Sequence, residues 1–222
     1  MKIVHPYYFD PITVSSESPE TLVIEKGDYL RRVMAELSEQ YKTGVGQFVV
    51  SEDNQIKDFT KSVNLITDIF QLDLEGKAFK TRIQSYLADV CFDSEEGAQL
   101  VSKIKQYAYK LTEQSVYPIT FESEFQLTDL IRFLNFRFYP DSDSMIESIS
   151  EYMAGTTNIL KKKLCITLNL KDFMDQEEYR EFVKQLQYKD VEILMIERHV
   201  HKELDDINHS KYTRSGVDEH NQ

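Results

Sequence analysis

Lys161-Lys162-Lys163-Leu164-Cys165-Ile166-Thr167-Leu168-Asn169-Leu170 is the stretch on which the fold turns. From Leu164 onward apolar and small residues follow one another without a polar face, the pattern of a strand buried on both sides. Such a strand belongs to a parallel sheet covered by helices. Two others match it, Thr21-Leu22-Val23-Ile24 near the start and Val191-Glu192-Ile193-Leu194-Met195-Ile196 near the end. The first feeds a helix on which Leu30, Val33, Met34, Leu37 and Tyr41 recur at helical spacing. A second helix is marked by Met145, Ile146, Ile149, Tyr152, Met153, Thr156, Ile159 and Leu160. A third opens at Asp175, with Glu178 three residues on as a capping-box partner, and buries Tyr179, Phe182, Val183 and Leu186.

The N-terminal stretch reads as a ribbon of short strands, Ile3-Val4 and Ile12-Thr13-Val14, punctuated by Pro6 and Pro11. Gln47-Phe48-Val49-Val50 and Gln55-Ile56 flank a Ser51-Glu52-Asp53-Asn54 turn, which predicts a hairpin. Between residues 60 and 135 the period changes. Phe79, Ile83, Tyr86, Leu87 and Val90 form one apolar stripe, and Leu100, Val101, Ile104, Tyr107, Ala108 and Leu111 form another, an αα-hairpin pattern. A short helix with Leu127, Leu130, Ile131 and Leu134 follows. The expected fold class is therefore α/β: a mostly parallel sheet with flanking helices forms a head from residues 1–59 and 136–222, and residues 60–135 are an inserted all-α arm. After about residue 205 the chain turns polar and is expected to be a loose tail.

The 222 residues carry 26 Lys+Arg and 38 Asp+Glu, a formal net charge of −12. Residues 1–59, 60–140 and 141–222 each hold more acids than bases, so any nucleic-acid contact must use a local basic patch against an unfavourable field. A mean hydropathy of −0.45 and the lack of an apolar run near membrane length exclude a transmembrane helix. Met1-Lys2-Ile3-Val4-His5-Pro6 lacks a signal-peptide core, and the expected location is cytoplasmic. Cys91 and Cys165 make neither a disulfide framework nor a metal pattern.

A parallel sheet invites a nucleotide at a strand-to-helix turn, but the loop for it is missing. After Ile24 the chain reads Glu25-Lys26-Gly27-Asp28, with carboxylates where phosphates would sit. Asn169 ends the Leu164 strand where an ATPase would place a magnesium-binding Asp. No G-x-S-x-G is present. His199, His201, Asp205 and His209 have the residue types of a metal site, in a stretch with no sign of a rigid shell. Glu122, Glu124 and Asp129 are three hard oxygen donors close together where the arm returns to the head, a chemistry suited to Ca²⁺, with Asp141 and Asp143 as a second layer; an acidic chain makes such triplets by chance, and the residues alone favour a solvated acidic surface. The bases Arg31, Arg32, Arg132, Arg137, Lys161, Lys162 and Lys163 need no function as dispersed charges. A symmetric oligomer would let them line a positive channel.

Four stretches together carry a resemblance: Leu22-Val23-Ile24-Glu25, Asn64-Leu65-Ile66-Thr67-Asp68-Ile69-Phe70, Lys161 to Asn169, and Val191-Glu192-Ile193-Leu194-Met195-Ile196-Glu197-Arg198. In order and spacing the chain, from residue 1 to about 200, resembles the ring-forming accessory proteins of type II-A CRISPR adaptation, of the Csn type. The resemblance implies a non-enzymatic protein with a degenerate P-loop-ATPase-like head. It implies homotetrameric rings, two dimers joined through the arms, that take double-stranded DNA ends into a positive channel during acquisition of new spacers. Its partners would be the CRISPR integrase complex and the type II effector nuclease. It also implies calcium at the hinge, with Glu122, Glu124 and Asp129 as the matching ligands, and with Tyr139 where the family has a further acid. Lys161, Lys162 and Lys163 match a shared basic run. Two other classes remain open on the residues alone: an oligomeric protein-interaction scaffold that ignores DNA, and a degenerate nucleotide-binding regulator.

Overall fold

The structure is a computed structural model, and it describes residues 1–7, 9–72, 76–91, 94–139, 144–205 and 212–214. In chain order the elements are β1 (Lys2–His5), β2 (Phe9–Thr13), β3 (Glu20–Val23), α1 (Gly27–Thr43), β4 (Val49–Glu52), β5 (Gln55–Lys57), α2 (Phe59–Ser62) and β6 (Val63–Ile66). There follow α3 (Lys77–Cys91), α4 (Glu95–Gln114), α5 (Leu127–Leu134), α6 (Met145–Asn158), β7 (Leu164–Leu168), a 3₁₀ turn (Leu170–Phe173), α7 (Gln176–Tyr188), β8 (Glu192–Glu197), α8 (Lys202–Asp205) and β9 (Tyr212–Arg214). The chain divides into two compact units, Met1–Asp73 with Pro140–Gln222, and Leu74–Tyr139.

The first unit is mixed α/β. Its main sheet has the order β6-β7-β8-β3-β9, all parallel, and helices flank it. Because side chains alternate along a strand, the apolar runs split between two covers. Leu22, Ile24, Leu164, Ile166, Leu194 and Ile196 join a core with Tyr29, Leu30, Val33 and Leu37 of α1. That core continues into a second, antiparallel sheet of order β2-β1-β4-β5 through Ile3, Ile12 and Val50. The intervening Cys165 faces the other way, where its thiol lies 3.9 Å from Thr156 Oγ1 of α6, and burial pushes its pKa up to about 11. It is an inert core residue. Asn64 of β6, also buried, donates to Thr156 Oγ1 at 3.3 Å.

Local chemistry sets the ends of these elements. The β4–β5 hairpin turns through Asp53 and Asn54, both at positive φ (50° and 61°), a turn whose twist suits the flanking strands and whose residues tolerate it. Helix α1 stops at Gly44 (φ 76°), whose N–H reaches Gln40 O at 2.8 Å. Asp175 caps α7 as its sequence predicts: its Oδ1 accepts from the N–H groups of Glu177 and Glu178 at 2.8 and 2.9 Å, and Glu178 Oε2 accepts from Asp175 N at 3.0 Å. Asp175→Ala is expected to lower stability by about 1 kcal/mol, read from the urea midpoint at unchanged slope.

Three features differ from the sequence reading. The division falls at 73/74 and 139/140 rather than at 59/60 and 135/136, because Val63–Ile66 pairs with β7 as the outer strand of the parallel sheet. The N-terminal ribbon and the hairpin form a sheet of their own rather than adding to the parallel one. Within the stretch expected to be a loose tail, Tyr212–Arg214 pairs in parallel with β3. The second unit contributes α3, α4 and α5, with α5 packed on both other helices. Gly97 permits one of these contacts, since a Cβ there would lie 2.7 Å from Leu127 Cδ2.

Candidate functional site

The seven bases singled out from the sequence fall in different settings. Lys161 ends the turn before β7 in a left-handed conformation (φ 62°) and is exposed. Lys162 donates to Tyr41 Oη at 2.9 Å and sits 4.5 Å above the same ring. Lys163 is ion-paired with Glu52, which also lies 3.6 Å from Lys57. The Lys163 hydrogen bond holds the Glu52 carboxyl below its ordinary pKa, and Glu52 holds the Lys163 ammonium above its own. The lysine run is thus partly neutralised inside the chain. Arg31 and Arg32 are exposed on α1, with Arg32 at 3.3 Å from Asp28. In the second unit Arg132 lies 3.6 Å from Asp129, and Arg137 is exposed.

Among the calcium candidates, Asp129 serves its own helix. Its Oδ2 accepts from Gln126 N at 2.9 Å, which closes the first turn of α5, and its Oδ1 faces Arg132. Glu122 and Glu124 are exposed on the extended segment before that helix. Among the described residues no group of three or more His, Cys, Asp or Glu side chains is arranged to hold a metal ion. In this arrangement the acid nearest the helix is already engaged by a cap and an arginine. Asp141, Asp143 and His209 lie outside the described residues.

At the carboxyl end of the parallel sheet, where open α/β sheets bind ligands, the turn after β3 carries the exposed acids Glu25 and Asp28. Lys26 caps α1 without a side-chain hydrogen bond, and the Arg198 guanidinium lies 3.6 Å from where a Cβ on Gly27 would stand. Asn169 Oδ1 accepts from Arg198 N at 3.2 Å, so the residue in the position of a magnesium-binding Asp instead joins two strand ends.

Two features escaped sequence reasoning. One is a buried polar cluster. Lys171 (1% exposed) donates from Nζ to Thr21 Oγ1 at 2.9 Å and lies 5.1 Å from the Tyr179 ring, while its N–H reaches Glu197 Oε1 at 3.2 Å. The other is the amount of apolar surface left bare on the second unit. Tyr107, Leu111, Val116, Tyr117, Phe133 and Tyr139 are all more than half exposed. The apolar stripes on α3 and α4 gave part of the signal.

This is a mixed α/β protein whose strand-to-helix turn after β3 carries exposed acids, with a second, helical unit that leaves many large apolar side chains exposed. Residues 40–212, well over half the chain, match the family described as CRISPR-associated protein (Cas_Csn2), and the chain belongs to that family. Membership gives it a CRISPR-associated role. No curated protein matches the chain. Among the described residues no helix is long and apolar enough to cross a membrane.

Proposed function

We propose that the chain is a non-enzymatic, sequence-independent binder of double-stranded DNA ends. It works as a homotetrameric ring, a dimer of dimers, during acquisition of new CRISPR spacers, beside the integrase complex and the type II effector nuclease. The observation that carries the assembly is the number of large apolar side chains that the helical unit leaves exposed. Monomeric proteins seldom leave that much aromatic surface in water, and a second copy offers a matching patch by symmetry. In this reading the first unit is a P-loop-ATPase-like head that has lost its nucleotide motifs and the second is an all-α arm. The parallel strand order and the acids at Glu25 and Asp28 support that reading of the head.

The DNA role rests on family membership and on the exposed bases Arg31, Arg32, Lys161 and Arg137. Closure brings copies of these bases together, and an acidic exterior disfavours DNA elsewhere. Calcium belongs to the reading through the resemblance alone, and no step here runs through the ion. If Glu122, Glu124 and Asp129 form its site, titration with calcium releases heat that Asp129→Asn removes; unchanged heat in that variant places calcium elsewhere or nowhere. Assembly is tested by light scattering, where a four-chain mass is expected and a monomer at micromolar concentration contradicts it.

One observation favours a second reading. A net charge of −12, with two of three lysines in the run already partnered, suits an oligomeric scaffold that binds proteins and ignores DNA. Absence of duplex binding by an intact tetramer would select it.

A further inference from the structure

We infer that His201 is a proton-operated pin that fastens the chain leaving β8, and with it α8, to the carboxyl end of the parallel sheet. The imidazole Nε2 stands 3.6 Å from Glu197 Oε2 and 3.4 Å from Asp172 Oδ1. It is thus placed between the last residue of β8 and the 3₁₀ turn that follows β7. Glu197 is fully buried (0% exposed). Its Oε1 is satisfied by the Lys171 N–H, while Oε2 has no hydrogen-bond partner, and neither does His201 Nε2. Two buried polar atoms facing each other without partners are costly unless a proton between them makes the contact charge-assisted. A protonated ring sets a full positive charge beside both carboxylates; a neutral ring, even in the tautomer that keeps its Nε2–H, loses that charge assistance.

The groups facing this ring are mostly carboxylates. Glu197 comes from β8, Asp172 and the opposing cation Lys171 from the 3₁₀ turn, and Asp175 and Glu177 line the same open cleft from α7. Lys202 and Glu203 follow on α8, where Glu203 Oε2 accepts from Gln176 Nε2 of α7 at 3.2 Å. The Glu197 carboxylate is the main cause that holds the His201 pKa above its ordinary 6.5, and Asp172 adds to it against burial and Lys171. Because the folded value is raised, the pin is fully engaged below the unfolded value near 6.5 and is released as pH rises through the folded one.

What the pin holds matters for the fold. The segment after β8 and α8 line the open cleft beside α7, and releasing them opens it further.

Hydrogen exchange on peptides covering residues 198–205 of the full chain tests this, between about pH 5.5 and 8.5 and corrected for intrinsic exchange. Protection is expected to fall as pH rises through the His201 titration, which ring NMR follows in parallel. His201→Gln is expected to lose about tenfold in protection at the acid end and to lose the pH dependence. Asp172→Asn, which keeps the fold, is expected to move the transition to lower pH. Flat protection in the wild-type chain, or a pH dependence that survives in His201→Gln, overturns the pin.

Discussion

Phe133→Asp is expected to split the proposed tetramer while leaving the chain folded. Phe133 is 84% exposed on the last helix of the second unit, so its ring contributes almost nothing to the stability of a single chain. Leu134 (53%) and Phe136 (40%), close by in sequence, are exposed as well. A buried aromatic is worth about 1.5–3 kcal/mol, and a two-fold interface counts every substitution twice. Losing about 3–6 kcal/mol weakens association by roughly two to four decades, and a carboxylate placed in an apolar contact adds to that. Sedimentation at micromolar concentration is expected to show smaller species, with the thermal midpoint of the chain little changed because surface substitutions shift stability by about 0.5 kcal/mol or less. DNA retention is expected to fall with assembly. An unchanged mass would remove this helix from the interface.

The second large effect is that of salt. A protein that holds DNA through phosphates alone releases counterions, and raising salt from about 50 to about 200 mM weakens such binding by roughly 10³-fold or more when six or more phosphates are neutralised. The chain carries −12, so its affinity has to come from local contacts that screening removes. The setting of each base ranks its contribution. Lys161→Ala is expected to lower the slope of log affinity against log salt by about one per contact, equally for every sequence. Lys163→Ala is expected to change it little, because that ammonium is already held by Glu52. A salt slope near zero would argue for the scaffold.

Much of the head was legible because its signals are local. The strands β3, β7 and β8 are unbroken apolar runs, and α7 announces its own start with Asp175 and Glu178. The strand β6 was read as the opening of the arm because it is short and interrupted by Asn64. That residue is tolerated in the core only through its bond to Thr156, 92 positions away. The edge strand β9 is polar and has no pattern of its own; it is defined by pairing with β3. The same limit applies to the sites. The lysine run reads as a free basic patch until Tyr41 and Glu52 are seen beside it, more than a hundred residues upstream. Glu197 and His201 lie at the end of an apolar strand and in a polar stretch, and nothing in their spacing shows that one is fully buried against the other. The stripes on α3 and α4 were legible as apolar, but sequence alone did not say that much of this surface would remain bare.

The reading as a ring on DNA ends is tested most directly by comparing a linear duplex with a closed circle of the same sequence, at low and at high salt. Threading predicts binding to the linear form alone, weakened by salt, and restored to the circle when a nuclease opens it once on both strands. Equal binding to both forms at low salt would contradict the ring as the device that holds DNA.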